Sequence, residues 1–134
     1  MVKDKSKVAI IGAGNVGSST AFAIALNQQV NELVLIDVNK DKASGEALDI
    51  NHGLSFVGQM SLYQGDYKDC RDCDVIIIAS GISRKPGETR MDLAKKNTIM
   101  AKDVIKNVMK YYTTGVVLAV SNPVDILTYI IQKF

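Results

Sequence analysis

Apolar residues in this chain come in short unbroken runs. "KVAIIG" at 7–12, "ELVLID" at 32–37, "DVIIIAS" at 74–80 and "GVVLAVS" at 115–121 are of strand length and apolar at successive positions, the pattern of strands buried on both faces. "MSLY" at 60–63 is shorter and more polar, as an edge strand is. Between the runs the spacing changes to a helical period over residues 15–28, 39–51 and about 91–112, and "VDILTYIIQKF" begins another helix after Pro123. Strands and helices that alternate with crossovers of this length predict a parallel sheet with helices on both faces, an α/β fold. No linker or low-complexity stretch interrupts the alternation, and 134 residues, 47% of them hydrophobic, suit one domain with a real core.

Charge and composition narrow the function classes. The formal net charge is +2 and the lysines are scattered, so no basic stripe marks a nucleic-acid backbone site. No apolar run approaches the roughly 20 residues that span a bilayer. The opening "MVKDKSK" leads into the first strand without the apolar core of a secretory signal, and a cytoplasmic protein is expected. Cys70 and Cys73 form a C-x-x-C pair in "DCRDC". With no second pair to complete a tetrahedral site, and an acidic loop rather than a helix start around them, packing is the favoured role over redox or metal chemistry. No metal site is expected.

The turn after the first strand carries the clearest chemistry. Gly12, Gly14 and Gly17 in "GAGNVG" form G-x-G-x-x-G between a predicted strand and a predicted helix, the context that makes this pattern a dinucleotide-binding fingerprint. Gly12 is expected to allow a tight turn, Gly14 to let a pyrophosphate approach the backbone, and Gly17 to let the helix lie close to the strand. Asp37 ends the second strand twenty residues after Gly17, where its carboxylate would accept hydrogen bonds from the ribose hydroxyls and repel a 2′-phosphate. The expected cofactor is therefore NAD rather than NADP, on a doubly wound, Rossmann-type sheet.

Three further stretches, "GEALDINHG" at 45–53, "SGISRKPGETRMDL" at 80–93 and "SNPVD" at 121–125, stand with "VAIIGAGNVGSS" in one order. Together they resemble the N-terminal half of the L-lactate and malate dehydrogenase family from residue 7 onward. The resemblance implies the strand order 3-2-1-4-5 with the sixth strand of the family's sheet missing. Residues 1–134 would then be the NAD-binding domain of a longer chain, without the C-terminal substrate and catalytic domain. The implied reaction is reversible hydride transfer between NADH and a 2-oxo acid. The fragment alone is expected to be inactive, because the family's proton donor is a histidine of the second half; the only histidine here, His52, looks like a packing or capping residue.

The same resemblance assigns residues. Arg90 is the catalytic arginine of a mobile loop that closes over the substrate and polarises its carbonyl. A guanidinium suits that task because it cannot deprotonate. Arg84, Arg90 and Asn122 are expected to bind substrate. Gly12, Gly14, Asn15, Val16, Gly17, Asp37, Gly81 and Asn122 are expected to bind the cofactor, with Asn122–Pro123 a cis bond. Asn97 resembles a position near the nicotinamide pocket but is not counted among the sites. Residues 43–53 resemble an interface helix, implying a homo-oligomer, a tetramer at full length. The substrate signs conflict: Arg84 stands where malate enzymes carry arginine, whereas "DINHG" and Glu88 look like the lactate branch, which is favoured. The alternatives are a malate dehydrogenase and, in another class, a dinucleotide-binding module without chemistry; the arginine-bearing loop argues against the module.

Overall fold

The computed structural model describes residues 6–134, so the expectation about the opening residues lies partly outside it. The apolar runs form five strands, β1 (Lys7–Ile11), β2 (Glu32–Ile36), β3 (Ser61–Gln64), β4 (Val75–Ile78) and β5 (Val116–Ala119). All neighbours pair in parallel, in the order β3-β2-β1-β4-β5. The helical segments are α1 (Asn15–Asn27), α2 (Lys40–Leu54), α3 (Arg90–Met109) and α4 (Val124–Gln132), with a short 3-10 helix at Tyr67–Cys70. This is the expected doubly wound α/β fold.

Unbroken apolar runs are explained by two cores, one on each face of the sheet. Val8, Ile10, Leu33, Leu35 and Ile77 point to the face covered by α1 and α2, against Ala21, Ala25, Ala43, Ala47, Ile50 and Leu54. Ala9, Ile11, Val34, Ile36, Ile76 and Ile78 point the other way, against Val104, Ile105 and Val108 of α3. Because successive side chains alternate between faces, a strand covered on both sides needs an apolar residue at every position. Helix α1 lies close to the sheet because its buried positions, Gly17, Ala21 and Ala25, are all small.

Three expectations need correction. β5 was expected to be buried on both faces, yet Val116 is 63% and Leu118 46% exposed. Their partners in register, Val75 and Ile77, belong to the α1/α2 side, and no described helix covers β5 on that side. Helix α2 does not stop at residue 51 but runs through Gly53 to Leu54, since Leu54, one turn after Ile50, still reaches the core. His52 is neither packed nor a cap; it is exposed in the last turn of α2.

Cys70 and Cys73 are both free thiols buried in the α3-side core. Burial pushes the Cys70 thiol up to about 12, the reverse of what a reactive cysteine needs. Among the described residues no helix is long and apolar enough to cross a membrane, and no cluster of His, Cys, Asp or Glu could hold a metal ion.

Candidate cofactor and substrate site

The loops that follow the carboxyl ends of β1, β2, β4 and β5 meet at one edge of the sheet, the usual ligand edge of an open parallel fold. The glycine turn is built by close approach. Gly12 adopts φ +108°, and a Cβ on it would fall 2.6 Å from the Ser80 backbone nitrogen, so only glycine lets this turn pass against the end of β4. A Cβ on Gly17 would fall 1.7 Å from the Gly12 carbonyl oxygen, which presses the start of α1 onto the turn. Gly14 differs: a Cβ there would meet nothing within 4 Å, and the residue borders open cavity. It is also the N-cap of α1, which has no side-chain cap and no acid in its first turn. The first N–H groups of a helix lack partners within it. They are left here for an anion, with the helix dipole in its favour.

Asp37 sits beside this turn. One carboxylate oxygen accepts the Ala13 N–H at 2.7 Å and the other accepts the Asn39 N–H at 2.8 Å. Each oxygen keeps a lone pair for a further donor, so the carboxylate braces the turn and can still accept a hydrogen bond from a ligand hydroxyl. Gly12 and Gly17 serve through backbone geometry rather than by lining the space.

Two cavities open at this edge and meet at Asn122. The larger, about 630 Å3, is lined by Gly14, Asn15, Val16, Gly81, Arg84, Asn122 and Lys42 among others. It therefore gathers most of the expected cofactor contacts, and its polar donors, helix start and two cations suit a dinucleotide pyrophosphate. The second, about 540 Å3, is lined by Arg90, Met91, Leu93, Ala94, Asn122, Pro123 and Ile126. The two arginines are thus divided between the cavities, with Leu93 and Asn122 common to both. The Asn122–Pro123 bond is cis.

Arg84 and Arg90 are exposed, and among the described residues neither forms an ion pair. Arg90 is the first residue of α3, behind a capping box in which Thr89 accepts the Asp92 N–H and Asp92 accepts the Thr89 N–H. Donation from the Thr89 hydroxyl, at 2.7 Å, and then from the Thr89 N–H holds the Asp92 carboxyl below its usual range. Glu88 does not neutralise Arg84; its carboxylate accepts the Lys85 N–H at 3.0 Å and pairs with Lys96.

Two residues stand outside the expected sites, Lys42, which the sequence does not mark, and Asn97, which was considered there and left out. Lys42, in the first turn of α2, brings an ammonium to the larger cavity, and nothing in its local pattern marks it out. Asn97 is 4% exposed and bonds the backbone of both Ile82 and Asn122. Its signal was present: Asn97, Ala101, Val104, Ile105 and Val108 are the buried positions of α3, and a polar residue in such a stripe must find partners.

Comparison with known proteins follows the same lines. A family model described as the lactate/malate dehydrogenase NAD-binding domain matches residues 6–134. An L-lactate dehydrogenase of Thermoanaerobacterium saccharolyticum is 52% identical over 128 residues, 96% of this chain and 41% of that protein. A ligand-bound structure of the minor L-lactate dehydrogenase of Enterococcus mundtii superposes with TM-score 0.94 at 43% identity, over 98% of this chain and 42% of that one. A malate dehydrogenase of Archaeoglobus fulgidus in complex with NADH gives TM-score 0.90 at 38% identity, over 95% and 44%. The chain spans about two-fifths of the length of the curated relatives it matches.

Proposed function

The chain belongs to the lactate/malate dehydrogenase NAD-binding domain family, and on that premise we propose that residues 1–134 are the cofactor-binding half of an NAD-dependent L-lactate dehydrogenase. The observation that carries the reading is the junction at Asn122, where a cavity built on the glycine turn and the α1 N-terminus adjoins one lined by Arg90. Bound NADH supplies the hydride. This chain's residues bind, orient and polarise. Gly14 and the first N–H groups of α1 take the pyrophosphate, with Lys42 adding positive charge, and Asp37 takes the adenosine ribose. Asn122 faces both nicotinamide and substrate. The Arg90 guanidinium stabilises the negative charge that grows on the substrate carbonyl oxygen as it is reduced. Arg84 in its loop meets the substrate end of the cofactor cavity.

Pyruvate is the proposed 2-oxo acid, because the lactate dehydrogenases among the relatives share about half their residues with this chain. A second reading, malate dehydrogenase, is favoured by one observation. Arg84 is exposed and has no acidic partner among the described residues, so it can pair with a second substrate carboxylate. A buried unpaired arginine would reject pyruvate; this one is exposed and stays solvated, so it does not. The protein is proposed to work in the cytoplasm as a homo-oligomer, with α2, where Leu48 is exposed, as an interface helix. The test is NADH oxidation by the protein at the full length of its relatives, with pyruvate and Arg90→Ala alongside. Pyruvate-dependent turnover that the substitution abolishes supports the reading; turnover untouched by it refutes the role of Arg90.

A further inference from the structure

We propose that Lys96 and Asn97, consecutive residues in the second turn of α3, are positioning residues that fasten the two ends of the Ser83–Gly87 loop, so that movement of the loop beside Asn122 is confined to the short segment that carries Arg84. Among the described residues Asn97 is the buried polar side chain. Its Oδ1 accepts the Ile82 N–H at 2.8 Å, and its Nδ2 donates to the Asn122 carbonyl at 2.8 Å and the Ile82 carbonyl at 3.4 Å. The amide is satisfied only when the loop after β4 and the turn after β5 are both in place, and a buried amide left unsatisfied is unfavourable. Ile82 is thereby the fixed start of the loop.

The far end is fixed differently. Lys85–Glu88 is a tight turn with Pro86 and Gly87 (φ +84°) at its centre and the Glu88 N–H donating to the Lys85 carbonyl at 3.1 Å. The Glu88 carboxylate closes the turn by accepting the Lys85 N–H, and it is tied to α3 by the Lys96 ammonium. Between the two ends, Ser83 and Arg84 make no hydrogen bond among the described residues. The loop therefore has two anchored ends and a two-residue segment free to turn, and that segment carries Arg84. The Lys96 side chain is 45% exposed, so its ion pair is weak alone and can part. The buried Asn97 bonds are the stronger anchor.

This rests on the dehydrogenase reading, and the experiment separates the two. In the protein at full length, Asn97→Leu is expected to lower kcat/KM for pyruvate by about a hundredfold, the scale of a small misplacement of reacting groups, and to lower NADH affinity by at most about tenfold, since Asn97 also lines the cofactor cavity. Lys96→Met and Glu88→Gln are each expected to lower kcat/KM about threefold, the double variant no further, with Lys96→Arg restoring it. Amide hydrogen exchange is read on the same proteins: the Ile82 amide should exchange faster in Asn97→Leu and not in Lys96→Met, while the 85–88 amides respond to Lys96→Met. Unchanged Ile82 exchange in folded Asn97→Leu, or NADH affinity falling in step with kcat/KM, overturns the anchoring role. If Asn97→Leu does not fold, additive losses from Glu88→Gln and Lys96→Met overturn it through the other end. An unaltered protein inactive on every 2-oxo acid refutes the dehydrogenase reading alone, and hydrogen exchange then still decides whether the loop is anchored.

Discussion

Arg90 stands where helix electrostatics alone would put an acid. It opens α3, at the positive end of the helix dipole, where a cation is unfavourable by about 0.3–1 kcal/mol. Such a local misfit is tolerated where a site needs the charge. Arg90→Gln is accordingly expected to lose at least a hundredfold in kcat/KM, about the effect of removing one such charge-stabilising donor, while its thermal unfolding temperature stays equal or rises. A drop in both would mean that Arg90 is structural. Asp37 makes the opposite case, because its carboxylate braces the fold in addition to its proposed cofactor role. Asp37→Ser should narrow the preference for NAD over NADP and also destabilise the protein by about 1–3 kcal/mol, since the Ala13 and Asn39 N–H groups lose a charged acceptor. Calorimetric titration with both cofactors and a denaturant series measure the two effects on one protein. The proposed ribose role comes from the spacing to Gly17; the bracing role was not legible in sequence, because it depends on where the Ala13 amide points.

At the scale of elements, the loop between β4 and α3 titrates with Glu88. The Lys85 N–H bond and then the Lys96 ammonium hold its carboxyl below the usual glutamate range. A depressed acid contributes stability that is fully present above its unfolded value and is lost as pH falls through the folded one. The 85–88 turn should therefore loosen only below the ordinary glutamate range, followed by the Lys85 amide resonance as pH is lowered. Glu88→Gln should remove that acid transition. A Lys85 resonance that shifts at the ordinary glutamate value in both proteins would contradict the bonding described. Elements themselves were largely legible, because continuous apolar runs and helical periods are hard to confuse when they alternate. Their limits were less so. Gly53 reads as a stop, yet Leu54 one turn beyond Ile50 keeps α2 going. β5 reads as buried because its residues are apolar, while what covers Val116 and Leu118 is a matter of neighbours, not of their own composition.

At the scale of the whole molecule, sheet order, glycine turn and the two cavities form one ligand edge. The family was legible because four motifs occur in one order. The division of Arg84 and Arg90 between cavities that share Asn122, and the fastening of their loop by Asn97, were not, since both depend on tertiary contact across residues far apart in sequence. Residues 1–134 alone are expected to show no NADH oxidation with pyruvate, as among the described residues no histidine lines either cavity. Purified fragment that oxidises NADH only when pyruvate is present, and stops on Arg90→Ala, would contradict this.

The central claim is that this domain serves an NAD-dependent L-lactate dehydrogenase, and the most direct test is kcat/KM for pyruvate and for oxaloacetate with NADH in the protein at full length. Pyruvate should be the better substrate, and Arg84→Gln should widen its lead, because a solvated cation that can pair with a second carboxylate is then lost. A preference for oxaloacetate above about a hundredfold, reversed toward pyruvate by Arg84→Gln, would contradict the lactate assignment and make Arg84 the anchor of a dicarboxylate.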